Sequence, residues 1–215
     1  MLKTYFVTPD LELLITSLLL LSISIFLKQF NNNGKSNFSL FFLVLGSAVL
    51  RIFMAHLDPF LNMWDEQYHA LVAKNLTLNP FVPTLYNPPM LNENSLSWVG
   101  SHIWLHKQPL FLWQIALCIK ILGASVYAIR VPAIIMSSIL TIIVFRVGKI
   151  LVNENCGYYS ALFFAVNPFI LELVSGYVFT EHNDIAFLFY VTLRDRKSTR
   201  LNSSHVSESR MPSSA

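Results

Sequence analysis

Apolar residues in this chain come in long runs separated by short polar signals, and the run lengths predict the elements. Residues 11–27 are almost continuous Leu, Ile and Ser, and residues 38–56 are apolar with Ser, Gly and, near the far end, Arg51. As helices, both are about long enough to cross a hydrocarbon core ~30 Å thick. A third run covers residues 131–151, a fourth 158–178, and a fifth starts at 185. Arg130-Val131-Pro132 opens the third, with proline in the first turn, where its missing N–H leaves no helical bond unmade. The first run lacks a small-x-small cleavage site before Lys28, so it reads as a retained helix and not as a removed leader. Arg51 is expected to snorkel to the membrane interface.

Between the second and third runs, residues 57–129 are too mixed to span and too long for a tight connection. Prolines at 59, 80, 83, 88, 89 and 109 predict short helices and extended pieces. Within this loop, residues 65–76 place Tyr68, Leu71, Val72 and Leu76 at helical spacing, with Asp65 and Glu66 in the first turn, where the helix dipole favours negative charge. Residues 109–122 are apolar but contain Gln114 and Lys120 and stop at Gly123. That length suits a helix lying at the interface better than a span. If it does not cross, Lys28, Lys35, Arg146 and Lys149 share one side, cytoplasmic by the positive-inside rule. The loop around Asp65 and the loop at 180–184 then share the outer side. The expected fold is therefore all-α, a polytopic transmembrane bundle with a long extracytoplasmic first loop carrying short juxtamembrane helices.

Composition fixes the class. The 215 residues are 54% hydrophobic and 13% charged, with 17 Phe and a mean hydropathy of +0.52, which excludes a soluble domain of this size. The chain is expected to be a multi-pass integral membrane protein, bacterial or archaeal. The net charge of +3 comes from the last stretch, where Arg194, Arg196, Lys197, Arg200 and Arg210 face Asp195 and Glu208. The rest is balanced, so no nucleic-acid role follows. Cys118 and Cys156 lack any CxxC or Cys/His spacing and read as buried thiols. Residues 194–215, with seven serines and almost no core residues, resemble foreign read-through sequence. They are expected to be a non-native disordered tail, with residues 1–193 an N-terminal fragment of a longer enzyme and inactive alone.

Four landmarks then appear in order: Asp65-Glu66-Gln67-Tyr68, His106-Lys107-Gln108-Pro109-Leu110, Arg130-Val131-Pro132 and His182-Asn183-Asp184. Together, on this hydropathy pattern, they resemble the membrane-embedded glycosyltransferases of the GT-C class, in particular the protein O-mannosyltransferases and bacterial aminoarabinose transferases. The resemblance runs from about Arg51 to Phe189. It implies inverting transfer of a sugar from a polyprenyl-phosphate donor to an extracytoplasmic lipid, glycan or protein acceptor. It makes Asp65 the first candidate base, with Glu66 beside it and Asp184 as the carboxylate of the second outer loop. A hydroxyl is a feeble nucleophile at neutral pH and needs such a base. Lys107 and Arg130 match the positions that meet the donor phosphate, whose developing charge requires cations. Tyr68, His69, His106 and His182 are candidates for substrate contact or support.

Each residue also has a structural role open to it. An acid of the pair could cap the short helix, Lys107 and Arg130 could face lipid headgroups, and Asp184 could cap the helix that follows. Asp65/His69, His102/His106 and His182/Asp184 are spaced so that a divalent metal is conceivable, but no His-Glu-x-x-His is present. No cofactor is expected to be required, and no residue is assigned as a metal ligand. Trp64, Trp98, Trp104 and Trp113 read mostly as aromatic-belt anchors, with sugar stacking open to one of them. A polytopic transporter using Arg51, Glu172 and Asp184, or a non-catalytic scaffold, are the competing readings. Transporters gather their polar residues near the bilayer midplane, whereas here they gather in the loops.

Overall fold

The computed structural model describes residues 9–30, 36–90, 92–94, 96–97, 100–178 and 183–194. Eight helices are present among them: α1 (Pro9–Phe30), α2 (Ser36–His56), α3 (Asp65–Leu76), α4 (Pro109–Leu122), α5 (Val126–Leu151), α6 (Glu154–Ala165), α7 (Pro168–Ser175) and α8, residues 183–194. No strand forms among the described residues, and an isolated antiparallel bridge joins Thr84 to Ile103. The architecture is a helical membrane bundle. The stretches 11–30, 37–56 and 126–151 are long and apolar enough to cross a membrane. On α1 the side chains of Leu11, Ile15, Leu18, Leu19 and Phe26 are exposed, an apolar face suited to lipid and not to water.

Two of the expected helices differ in bounds or continuity. The third run is helical from Val126, not from 131. Ser125 caps it by accepting the Ala128 N–H at 3.2 Å, so Pro132 falls inside the helix. The fourth run is not one helix over 158–178. It breaks into α6 and α7, bent by 47°. Pro168 offers no N–H, and the Asn167 side chain takes the backbone N–H groups of Phe169 (2.9 Å) and Ile170 (3.3 Å) to start α7 afresh. The residues beyond Arg194, including most of the expected tail, lie outside the described residues.

The two ends of the bundle differ in chemistry. At one end Lys28 and Lys149 pair with Glu154 at 3.4 and 2.8 Å, and Ser24 hydrogen-bonds Tyr158 at 2.7 Å. Here α5 turns into α6 at close range: a Cβ on Gly157 would lie 2.4 Å from the Phe145 carbonyl oxygen, so only glycine fits. At the other end α2 meets the start of α5, with the His56 and Tyr127 rings stacked 4.2 Å apart. The region 57–125 therefore leaves the bundle and returns to it at the same end.

That region is a packed layer. Leu85, Trp104, Leu112 and Ile115 are fully buried and join α3, α4, α5, α7 and α8 in one apolar core. Leu85 N–H donates to the His102 carbonyl at 2.8 Å and Trp104 N–H to the Pro83 carbonyl at 2.7 Å. The Asn75 amide binds the carbonyls of Thr84 and Leu85, tying this strip to α3. Trp104 is thus a core residue, not an interfacial anchor. Trp98 lies outside the described residues. Arg51 is also corrected: it does not snorkel, being fully buried with its guanidinium 3.4 Å from the Thr141 hydroxyl and over the Phe164 ring.

Candidate active site

Asp65 and Glu66 open α3, and their side chains go to different partners. Glu66 is fully buried and makes a two-pronged ion pair with Arg130 of α5, Nε to Oε1 at 2.8 Å and Nη2 to Oε2 at 3.1 Å. The remaining Arg130 N–H groups donate to the carbonyls of Ala55 (2.8 Å), Asp58 (2.7 Å) and Phe60 (2.9 Å). A guanidinium has five N–H donors, and all five are engaged. The Asn62 N–H donates to Glu66 Oε2 at 2.7 Å. The chain from Ala55 to Asn62 is thereby wrapped around one buried ion pair. Gly176, at the end of α7, closes the cage. With φ at +86°, its hypothetical Cβ would lie 2.9 Å from both Arg130 Nη2 and Glu66 Oε2.

Asp65 points elsewhere. Its Oδ2 lies 3.2 Å from Lys107 Nζ, with the side chains 9% and 18% exposed. This pair is reachable, whereas the Glu66–Arg130 pair is sealed. Lys107 belongs to the irregular strip just before α4, whose first residue is Pro109. A lysine on an irregular segment therefore faces a carboxylate in the first turn of a helix.

The aromatic surroundings are dense. Trp64 is 55% exposed and edge-on to Tyr68, which is half-buried. His69 is fully buried, edge-on to Trp104 and Phe111 at 5.7 and 4.8 Å between ring centres. His106 is exposed, its ring 5.8 Å from that of Trp104. Asp184 is exposed in the first turn of α8. This helix buries Ile185 and Ala186 in the shared core and hydrogen-bonds to α4 through Tyr190 and Gln114. His182 lies outside the described residues. Among the described residues, no three His, Cys, Asp or Glu side chains converge as a metal site would require.

Of the residues singled out in the sequence, the structure brings together Asp65 with Lys107, and Glu66 with Arg130. The cage members Asn62 and Gly176, and the three carbonyls on Arg130, escaped sequence reasoning. Gly176 alone had a signal there, as a glycine ending an apolar run.

Residues 106–194, from His106 to the end of α8, match the sequence model of a family described as dolichyl-phosphate-mannose-protein mannosyltransferase. The matched part contains Lys107, Arg130 and Asp184 and begins after the acidic pair. Neither the comparison with curated proteins nor that with solved structures returned a match. The family match points to membrane glycosyltransferase activity of the mannosyltransferase type, with a lipid-linked sugar donor.

Proposed function

We propose that this protein transfers a sugar from a polyprenyl-phosphate donor to a nucleophilic acceptor, with inversion, at the extracytoplasmic face of the membrane. The observation that carries this reading is the Asp65–Lys107 pair, a carboxylate and an accessible cation 3.2 Å apart at the loop-bearing end of a membrane bundle. Lys28 and Lys149, and the exposed Arg146 toward that end of α5, favour the opposite end as cytoplasmic.

In this mechanism Lys107 receives the donor phosphate as a point charge. The acceptor hydroxyl attacks the anomeric carbon from the face opposite the phosphate. The new C–O bond forms as the bond to the phosphate oxygen breaks, and that bond's electron pair leaves on the polyprenyl phosphate. The acceptor proton passes to Asp65. Glu66 and Arg130 hold the loop and the start of α3 in place and touch neither substrate. Asp184 and Tyr68 serve acceptor positioning, and His69 and His106 shape the aromatic wall. The acceptor is a lipid, glycan or protein.

The test is transfer of labelled sugar from a synthetic polyprenyl-phosphate donor by the full-length protein in nanodiscs. Asp65→Asn keeps the shape of the side chain and removes the proton acceptor. Turnover is expected to fall by ~10² or more, in the range lost with a general base. Near-normal turnover in this variant would overturn the assignment.

A further inference from the structure

Asp65 and Lys107 pair with each other, although the proposed reaction needs each for a different partner. With Lys107 Nζ on Asp65 Oδ2, an acceptor hydroxyl has to compete with the ammonium for that carboxylate oxygen. An ammonium held by a carboxylate is likewise a weaker phosphate receptor than a free one. We infer that the donor phosphate switches the site on: it draws Lys107 away from Asp65, and the carboxylate so released becomes the base for the acceptor. This rests on the function proposed above and deepens it by fixing the order of events, donor first and acceptor second.

Two features of the geometry support a switch over a permanent pair. The two partners are unequally held. Asp65 stands in the first turn of α3 beside Glu66, which Arg130 and the Asn62 N–H clamp. Lys107 lies in an irregular segment and retains solvent access. Finally, the Glu66–Arg130 pair next door is fully enclosed and its guanidinium N–H groups are all engaged. The arriving anion therefore finds Lys107 the reachable cation of these two pairs, and Asp65 is its competitor for that cation. No bond is made or broken in the switch itself. One ion pair is exchanged for another, and net charge changes only by that of the donor.

The competition predicts an effect opposite in sign to that of an ordinary binding-site mutation. Removing the charge of Asp65 should tighten donor binding, because Lys107 no longer has to be taken from a partner. The measurement is the Kd of a fluorescent polyprenyl phosphate, without sugar, for the full-length protein in nanodiscs. Asp65→Asn is expected to bind it about 10-fold more tightly than the native protein, equivalent to about 1.4 kcal/mol. Lys107→Gln is expected to bind at least 10-fold more weakly. Adding Asp65→Asn to Lys107→Gln should then change Kd less than twofold, since the competition has gone. Asp65→Ser serves as the second variant if Asp65→Asn does not fold, with the same expected direction. Unchanged or weaker binding by folded Asp65→Asn or Asp65→Ser would overturn the switch, as would a tightening that persists in the Lys107→Gln background. The turnover of Asp65→Asn judges the base assignment separately. Lost turnover with unchanged Kd sinks the switch and leaves the proposed function standing, whereas normal turnover sinks the function.

Discussion

The assignment of Glu66 and Arg130 to the framework makes a quantitative prediction that separates it from a direct role in phosphate binding. Consider Arg130→Met, which keeps much of the side-chain bulk and removes the guanidinium. The Glu66 carboxylate, with no exposure, is left without its cation. Breaking a buried pair by removing one member costs ~3 to 5 kcal/mol. The three carbonyls do not add in full. The bond to Ala55 is buried, but those to Asp58 and Phe60 are partly buried, so water can replace the guanidinium there. The stranded carboxylate dominates, and a loss of ~3 to 5 kcal/mol is expected. Replacing Glu66 as well, with Gln, should restore part of that loss, because the uncompensated charge disappears. The assay is equilibrium unfolding in mixed detergent micelles, with limited proteolysis of the 57–63 segment as a local readout of the cage. A loss below ~1 kcal/mol in Arg130→Met, together with a tenfold or greater loss of donor affinity, would refute the framework role and return Arg130 to the phosphate.

Three further outcomes are expected. Gly176→Ala should destabilise the same cage, since its φ of +86° is costly for alanine by ~1 to 2 kcal/mol and the added Cβ lies 2.9 Å from both ion-pair partners; unfolding measurements showing a change under ~0.5 kcal/mol would count against the close approach. Cysteines introduced at Met63 and Tyr177, both exposed, should react with an impermeant maleimide from one side of sealed vesicles, and one at Asn155 from the other; labelling of Met63 and Tyr177 from opposite sides would mean that α4 crosses. Burial pushes the Cys118 thiol above its ordinary pKa, so alkylation near pH 8 should be slower in the folded than in the unfolded protein. With the folded pKa raised, the linked stability is present at low pH and falls as pH rises through the folded value, and faster alkylation of the folded state would contradict this.

Local patterns were readable from the residues, and pairings across the chain were not. The 3.6-residue period over Asp65–Leu76 marks α3 because it depends on neighbours in sequence, and the apolar runs mark α1, α2 and α5 because length against membrane thickness suffices. The break between α6 and α7 was also written there, as Asn167-Pro168 inside an apolar run. A single helix over 158–178 is not what forms, because hydropathy alone ignores that local signal. The Glu66–Arg130 pair joins residues 64 positions apart, and no periodicity encodes it. The same holds for Arg51, whose expected snorkelling assumed an isolated helix. In the bundle it packs against α5 and α6 through Thr141 and Phe164, and it is enclosed. Trp104 differs from the expectation for the opposite reason: a loop tryptophan near a membrane suggests an interface, but the strip tied to α3 by Asn75 folds over it.

The cage and the Asp65–Lys107 pair are linked through Trp64. Its backbone, at φ 83° and ψ −118°, is the positive-φ conformation found at a non-glycine residue among those described, of a kind that costs ~1 to 3 kcal/mol and persists where its surroundings enforce it. The surroundings here are identifiable. The bond from Asn62 N–H to Glu66 Oε2 joins the chain on the two sides of Trp64, and the Arg130 contacts to Ala55, Asp58 and Phe60 fix the approach. The Tyr68 N–H donates to the Trp64 carbonyl, so α3 begins on this residue with no side-chain cap. A Ser, Asp or Asn at this position would ordinarily supply the cap. Here the tight turn starts the helix by backbone geometry, and the adjacent acid is left with Lys107 as its ion-pair partner. Two neighbouring carboxylates thus part at one turn: Glu66 is sealed against Arg130, and Asp65 turns to Lys107, which keeps partial exposure.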